Sequence, residues 1–156
     1  MKDTGKKILM IGPLPPPLGG ARVLFKITAD YIDSLGGIEQ KVIPLWSMDR
    51  PRIVKIFSAA GILLQVLLRG PQYDLISFWT SRTGMLYFGP LLKLACVILG
   101  KPLVIRLFGI GYRRDSSRIE RILMRVIFRS VDLVLVETQT AVDSLRDDFP
   151  TGNVKS

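Results

Sequence analysis

The chain has no histidine and a single cysteine in 156 residues. Without histidine, the commonest general base and the commonest zinc ligand are missing, and one thiol cannot complete a structural zinc cluster. Neither a metal nor another cofactor is therefore expected. Cys96 can form no internal disulfide and sits in an apolar run, so it reads as a small core residue in a reducing compartment. Acids are also scarce: 13 Asp and Glu face 22 Lys and Arg, and the net charge of +9 favours anionic partners. Long apolar runs are interrupted. Residues 53–68 contain Lys55 and Gln65, and residues 85–99 contain Lys93 and the Gly89-Pro90 step. Both fall short of the roughly 18 clean apolar residues of a membrane span and are expected to be core helices, with shallow membrane contact by the flanking Arg50, Arg52 and Arg69 as the alternative. The aromatics near loops or in helices, Trp46, Phe57, Trp79 and Tyr87, are expected to be packing residues. The first apolar stretch is only about five residues long before prolines intervene, too short for a secretory leader. A cytoplasmic location is expected, at most at the inner face of the membrane. There is no internal repeat, low-complexity tract or flexible linker.

What is present is an alternation. Apolar runs of strand length at 7–12, 40–45, 73–79, 102–108 and 131–137 alternate with helical stretches at 21–35, 52–69, 83–99, 116–129 and 139–148. Strand followed by helix, repeated five times, predicts an α/β fold with a Rossmann-like parallel sheet and helices on both faces. A hydrophobic content of 48% and this length fit one domain. In such sheets ligands sit at the carboxyl ends of the strands, so the loops after Ile11, Trp79, Leu107 and Val136 are where function is sought. After the last helix, Val154 is placed to enter a further strand.

The first of these loops carries the strongest signal. Lys7 to Gly12 reads as a buried strand, and Pro13, Pro15, Pro16 and Pro17 stiffen the loop that follows. Gly19-Gly20 then opens a helix. Two residues without Cβ let a ligand approach the backbone, and the helix start offers N–H groups and partial positive charge to an anion. The spacing fits neither the Walker loop nor the G-x-G-x-x-G dinucleotide fingerprint.

This strand and its "GPLPPPLGG" loop resemble the start of glycosyltransferase family 4 enzymes, which have the two-domain GT-B fold. The segments "KPLVIRLFGIGYRRD" at 101–115 and "VDLVLVET" at 131–138 are similar to the fourth and fifth strands of the N-terminal domain of that family. The resemblance covers nearly the whole chain. It implies that residues 1–156 are the acceptor-side GT-B half-domain, incomplete at its C-terminal end, with the donor-binding domain either truncated away or carried by a separate polypeptide. It also implies transfer of a sugar from a nucleotide-sugar donor to a cell-envelope polysaccharide or glycolipid acceptor, with retention and without a metal. In the family most donor contacts, including a pair of glutamates separated by seven residues, belong to the second domain, and no such pair occurs here. The chain is accordingly expected to be inactive alone. Gly19, Gly20 and Arg22 would abut the donor diphosphate, while Arg106, Phe108, Gly109 and Glu137 would shape the acceptor side. Phe108 stands where many family members have a histidine, so no catalytic residue is assigned.

Several of these residues have plainer alternatives. Arg106 can meet a phosphate or form a structural ion pair. Glu137 can serve as a cleft carboxylate, or cap or pair with a neighbour. Thr138 or Thr140 can cap the last helix. Arg114, Arg118, Arg121, Arg125 and Arg129 recur at steps of four, three, four and four along one helix face, with Ile119, Ile122, Leu123, Val126 and Ile127 on the remaining arc. Such a helix suits an anionic membrane surface or a lipid phosphate, or is simply a solvated face. Nucleic acid is not expected, because the stripe lacks interleaved aromatics and a recognised binding module. A non-catalytic membrane- or partner-binding Rossmann module, acting through that helix, is thus the rival to the enzyme.

Overall fold

The computed structural model describes residues 5–45, 52–109, 117–148 and 154–155. Strands β1 (Lys6–Pro13), β2 (Ile38–Leu45), β3 (Leu75–Ser81), β4 (Leu103–Phe108), β5 (Leu133–Leu135) and β6 (Val154–Lys155) form one sheet in the order β2-β1-β3-β4-β5-β6. Every pairing is parallel, with Ile8 opposite Leu75 and Gln40, and Ile76 opposite Leu103. The helices are α1 (Gly20–Ser34), α2 (Arg52–Arg69), α3 (Arg82–Leu99), α4 (Arg118–Ser130) and α5 (Gln139–Asp148). The expected α/β class and the expected alternation are both present, and Val154 does begin a sixth strand.

Right-handed crossovers decide which face each helix covers. The chain moves from β1 outward to β2 and then returns past β1 to β3, so α1 lies on one face and α2 to α5 on the other. Two cores follow. Phe25 and Ala29 of α1 pack with Met10, Trp79 and Phe108 on the first face. On the other face Leu9, Ile11, Ile76, Phe78, Leu103, Ile105 and Val134 meet Val66, Leu92, Phe128 and Val142 from the four helices. Alternate strand residues thus serve opposite cores, as the pleat requires.

Two carboxylates tie the amino-terminal edge. Asp74 accepts the Lys7 N–H at 2.8 Å, and Asp132 accepts the Leu103 N–H at 2.9 Å and the Lys93 ammonium at 3.2 Å. With Val131 and Asp132 spent in that turn, β5 is only three residues long, shorter than the expected 131–137. Helix α1 ends as expected at the Gly36-Gly37 pair, whose φ values of 62° and 82° lie in the left-handed region open to glycine. Helix α3 runs unbroken through the Gly89-Pro90 step. It is long and apolar enough by composition to cross a membrane. Yet seven of its residues, among them Met85, Leu92 and Cys96, are buried against the sheet and its neighbours.

Candidate functional site

The strand order places a topological switch between β1 and β3, because the connection from β1 leads to one side and that from β3 to the other. In open parallel sheets such a point leaves a crevice at the carboxyl ends of the strands. Two helices begin there, one on each face. Helix α1 starts at Gly20 after the proline loop, and α3 starts at Arg82 directly after β3. Neither start has a side-chain cap: Gly19 has none to offer, and Ser81 makes no capping hydrogen bond. The next two helices differ. Ser117 accepts the Glu120 N–H at 3.2 Å, and Thr138 accepts the Ala141 N–H at 3.2 Å. Of the two threonines offered by the sequence, Thr138 is the cap. Among the described helix starts, those of α1 and α3 flank the crevice and make no side-chain capping hydrogen bond, so partial positive charge from both is directed at the crevice.

The glycines of this loop have separate reasons. A Cβ on Gly12 would run into the ring of Phe25, which is fully buried, so packing alone requires glycine there. A Cβ on Gly19 or Gly20 would meet nothing within 4 Å, and neither residue has a positive φ. The fold makes no demand for glycine at those two positions, and the space above them is open. Arg22 does not extend over that space as a lone cation: its guanidinium donates to the Pro17 carbonyl at 3.2 Å and braces the loop. Leu14 of the loop packs on the core beneath.

Below the crevice lies an aromatic floor. Phe25 meets Trp79 edge-on at 5.2 Å between ring centroids, and Trp79 meets Phe108 at 5.5 Å. The Trp79 indole N–H donates to the Ser77 hydroxyl at 2.9 Å. Arg106, paired in register with Trp79, lays its guanidinium 5.0 Å from the indole centroid. Its Nε is buried and has no hydrogen-bond partner among the described residues. A stacked guanidinium is held flat by the ring. Arg106 thus forms no structural ion pair among the described residues; it is a cation held on the ring at the end of β4.

The sequence candidates are only partly brought together. Gly19, Gly20 and Arg22 share the β1 loop, while Arg106 and Phe108 share the floor. Phe108 is buried against Trp79 instead of lining an open surface, since β4 alternation turns it into the α1-face core. Gly109, at φ 60°, makes the left-handed turn off β4. Glu137 is exposed in the loop after β5, beyond the shortened strand. Arg118, Arg121, Arg125 and Arg129 form an exposed stripe on α4, whose first turn is joined to the α3 start by the Arg82–Glu120 ion pair at 2.9 Å. Arg114, Arg50 and Trp46 lie outside the described residues, as do the side chains of Arg52 and Lys55. Cys96 is buried, and desolvation pushes its thiol up to about 11, so it is a core residue as expected. No group of three or more metal-ligating side chains occurs among the described residues. Trp79, which the sequence places among the packing aromatics, carries Arg106, a role that only the strand register shows.

No family model matches the sequence. No curated protein matches it either. Solved structures match its fold. One is Alr3699/HepE from Anabaena in complex with UDP and glucose, at a TM-score of 0.62 and 19% identity, over 96% of this chain and 43% of that one. HepE in complex with UDP gives 0.59 and 18%, with the same coverage. UGT73P12 from Glycyrrhiza uralensis, complexed with glycyrrhetinic acid 3-O-monoglucuronide, gives 0.53 and 13%, over 98% of this chain and 48% of that one. The chain spans less than half the length of these structures, and what it shares with them is the fold, that of a GT-B half-domain.

Proposed function

We propose that this chain is the acceptor-side half of a glycosyltransferase that moves a sugar from a nucleotide-sugar donor to a glycan or glycolipid acceptor. The observation that carries the reading is the crevice between β1 and β3, where two uncapped helix starts flank a glycine pair that the fold itself does not require. Backbone N–H groups fixed in that position suit a diphosphate whose negative charge grows as the sugar–oxygen bond breaks. The likeness to a half of HepE, a protein seen with UDP and glucose, supports a UDP-sugar as donor. The resemblance of the "GPLPPPLGG" loop to family 4 supports retention of configuration and chemistry without a metal. In this reading the second half of the donor site comes from a donor-binding domain outside these residues, and the chain alone turns nothing over. On the same reading Arg106, held 5.0 Å from the Trp79 ring centroid, serves the acceptor side, where a guanidinium suits a phosphate or a sugar hydroxyl.

The test is donor turnover by the chain paired with a candidate donor-binding domain, with and without Gly20→Val. Turnover that needs both pieces and falls about a hundred-fold in the variant, whose side chain enters the open space and holds the diphosphate off the backbone N–H groups, is the expected result. Turnover unaffected by Gly20→Val would remove the diphosphate from this crevice.

A further inference from the structure

Helices α2, α3 and α4 lie side by side on one face of the sheet, with α3 in contact with both others. Each buries one stripe and leaves large apolar side chains facing out. On α3 the inward residues are Met85, Phe88, Leu92 and Cys96, while Tyr87, Leu91, Leu94 and Ile98 recur at steps of four, three and four on the opposite side. Tyr87 is 80% exposed and Ile98 69%. On α2, Ile62 and Val66 point in, and Phe57, at 73% exposure, shares the outward stripe with Leu64 and Leu68. Phe57 and Tyr87 are thus not the packing residues that the sequence suggests. Helix α4 differs in how it is turned. It packs through Met124, Ile127 and Phe128, so that Ile119, Ile122, Leu123 and Val126 stay outside beside the arginine stripe.

A run of large apolar side chains across three adjacent helices is more than a monomeric surface ordinarily exposes. Its charge says what covers it. Helices α2 and α3 contain no acid, and α4 contains only Glu120, which is held by Arg82 at 2.9 Å. Arg118, Arg121, Arg125 and Arg129 are all exposed along α4. A second copy of the chain would set this basic face against itself, which like charge opposes. An anionic bilayer meets both needs: acyl chains take the apolar stripes and headgroups take the guanidinium groups.

We propose that the outer face of α2, α3 and α4 docks flat on an anionic lipid bilayer, with the stripes of Phe57, Tyr87, Leu94 and Ile122 in the acyl boundary and the α4 arginines at the headgroups. The docking is peripheral, since the inward stripes remain packed on the sheet. It holds the sheet parallel to the membrane, so the crevice at the strand ends opens beside the surface instead of into it. It does not depend on the sugar-transfer reading.

Vesicle flotation tests it, using mixed phosphatidylglycerol and phosphatidylcholine vesicles against pure phosphatidylcholine. The chain is expected to float with the anionic vesicles and to be released by salt in part. Tyr87→Glu with Leu94→Glu should lower binding at least about ten-fold, by placing charge in the acyl boundary. Arg121→Gln with Arg125→Gln should lower it roughly thirty-fold, the loss of two headgroup cations. Ile27→Glu, an exposed change on α1 across the sheet, should leave binding unchanged. All three sets of positions are exposed, so an unchanged circular dichroism spectrum and melting temperature is expected throughout. Four results would overturn the proposal: no flotation on anionic vesicles, flotation that survives the α3 pair, equal loss in Ile27→Glu, or a dimer that the α3 pair dissolves, which would assign the face to a second copy.

Discussion

At the scale of single residues, the glycines of the first loop look alike in the sequence and are distinct in the structure. Gly12 is confined by the buried Phe25 ring, whereas Gly19 and Gly20 border open space. Gly12→Ala should therefore destabilise by about 1–3 kcal/mol, the usual cost of overpacking a closed core. Gly20→Ala should leave stability unchanged or raise it by up to about 1 kcal/mol, since it replaces glycine within a helix. Urea unfolding midpoints at constant slope would separate the two. Equal losses would mean that the space above Gly20 is not open. The motif made the loop legible from sequence. Arg106 was visible as a residue but not in its role, because its partner Trp79 is 27 positions away and is set by strand register.

At the scale of elements, helix and strand positions were legible wherever apolar period and stop residues agreed, as in α1 with its Gly36-Gly37 end. The failures have local causes. β5 is short because Asp132 turns its carboxylate back to the Leu103 N–H, a tertiary bond that a run of β-formers does not announce. The roll of α4 was hidden too, since an arc of isoleucine, leucine and valine reads as core until the narrower Met124, Ile127 and Phe128 seam is seen. Asp132 also makes a pH prediction. Burial, the largest influence, pushes its carboxyl up, but the Leu103 N–H and the Lys93 ammonium together outweigh it and hold the group below its ordinary 3.8. A depressed carboxyl contributes stability above its ordinary value and loses it as the pH falls through the lowered one. Asp132→Asn keeps an acceptor for Leu103 and removes the charge. The gap between parent and variant unfolding midpoints should be open at neutral pH and close below 3.8. A gap independent of pH would show that the Asp132 charge does not stabilise the fold.

At the scale of the whole molecule, the class of fold followed from alternation alone, because strand and helix in turn leave few arrangements open. Strand order did not follow. Nothing in the local pattern says that β1 sits between β2 and β3, yet that order creates the switch point and brings the α1 and α3 starts to one crevice from opposite faces. The account's central claim is that this crevice receives the diphosphate of a nucleotide sugar. Amide chemical shifts of the chain, followed while a nucleoside-diphosphate sugar is titrated in, test it most directly, because they detect the weak binding expected of a half-site. The prediction is saturable movement centred on Gly19, Gly20 and Ala21, with Arg82 and Thr83 across the crevice, abolished by Gly20→Val. Saturable movement centred elsewhere, or none at millimolar donor, would contradict it.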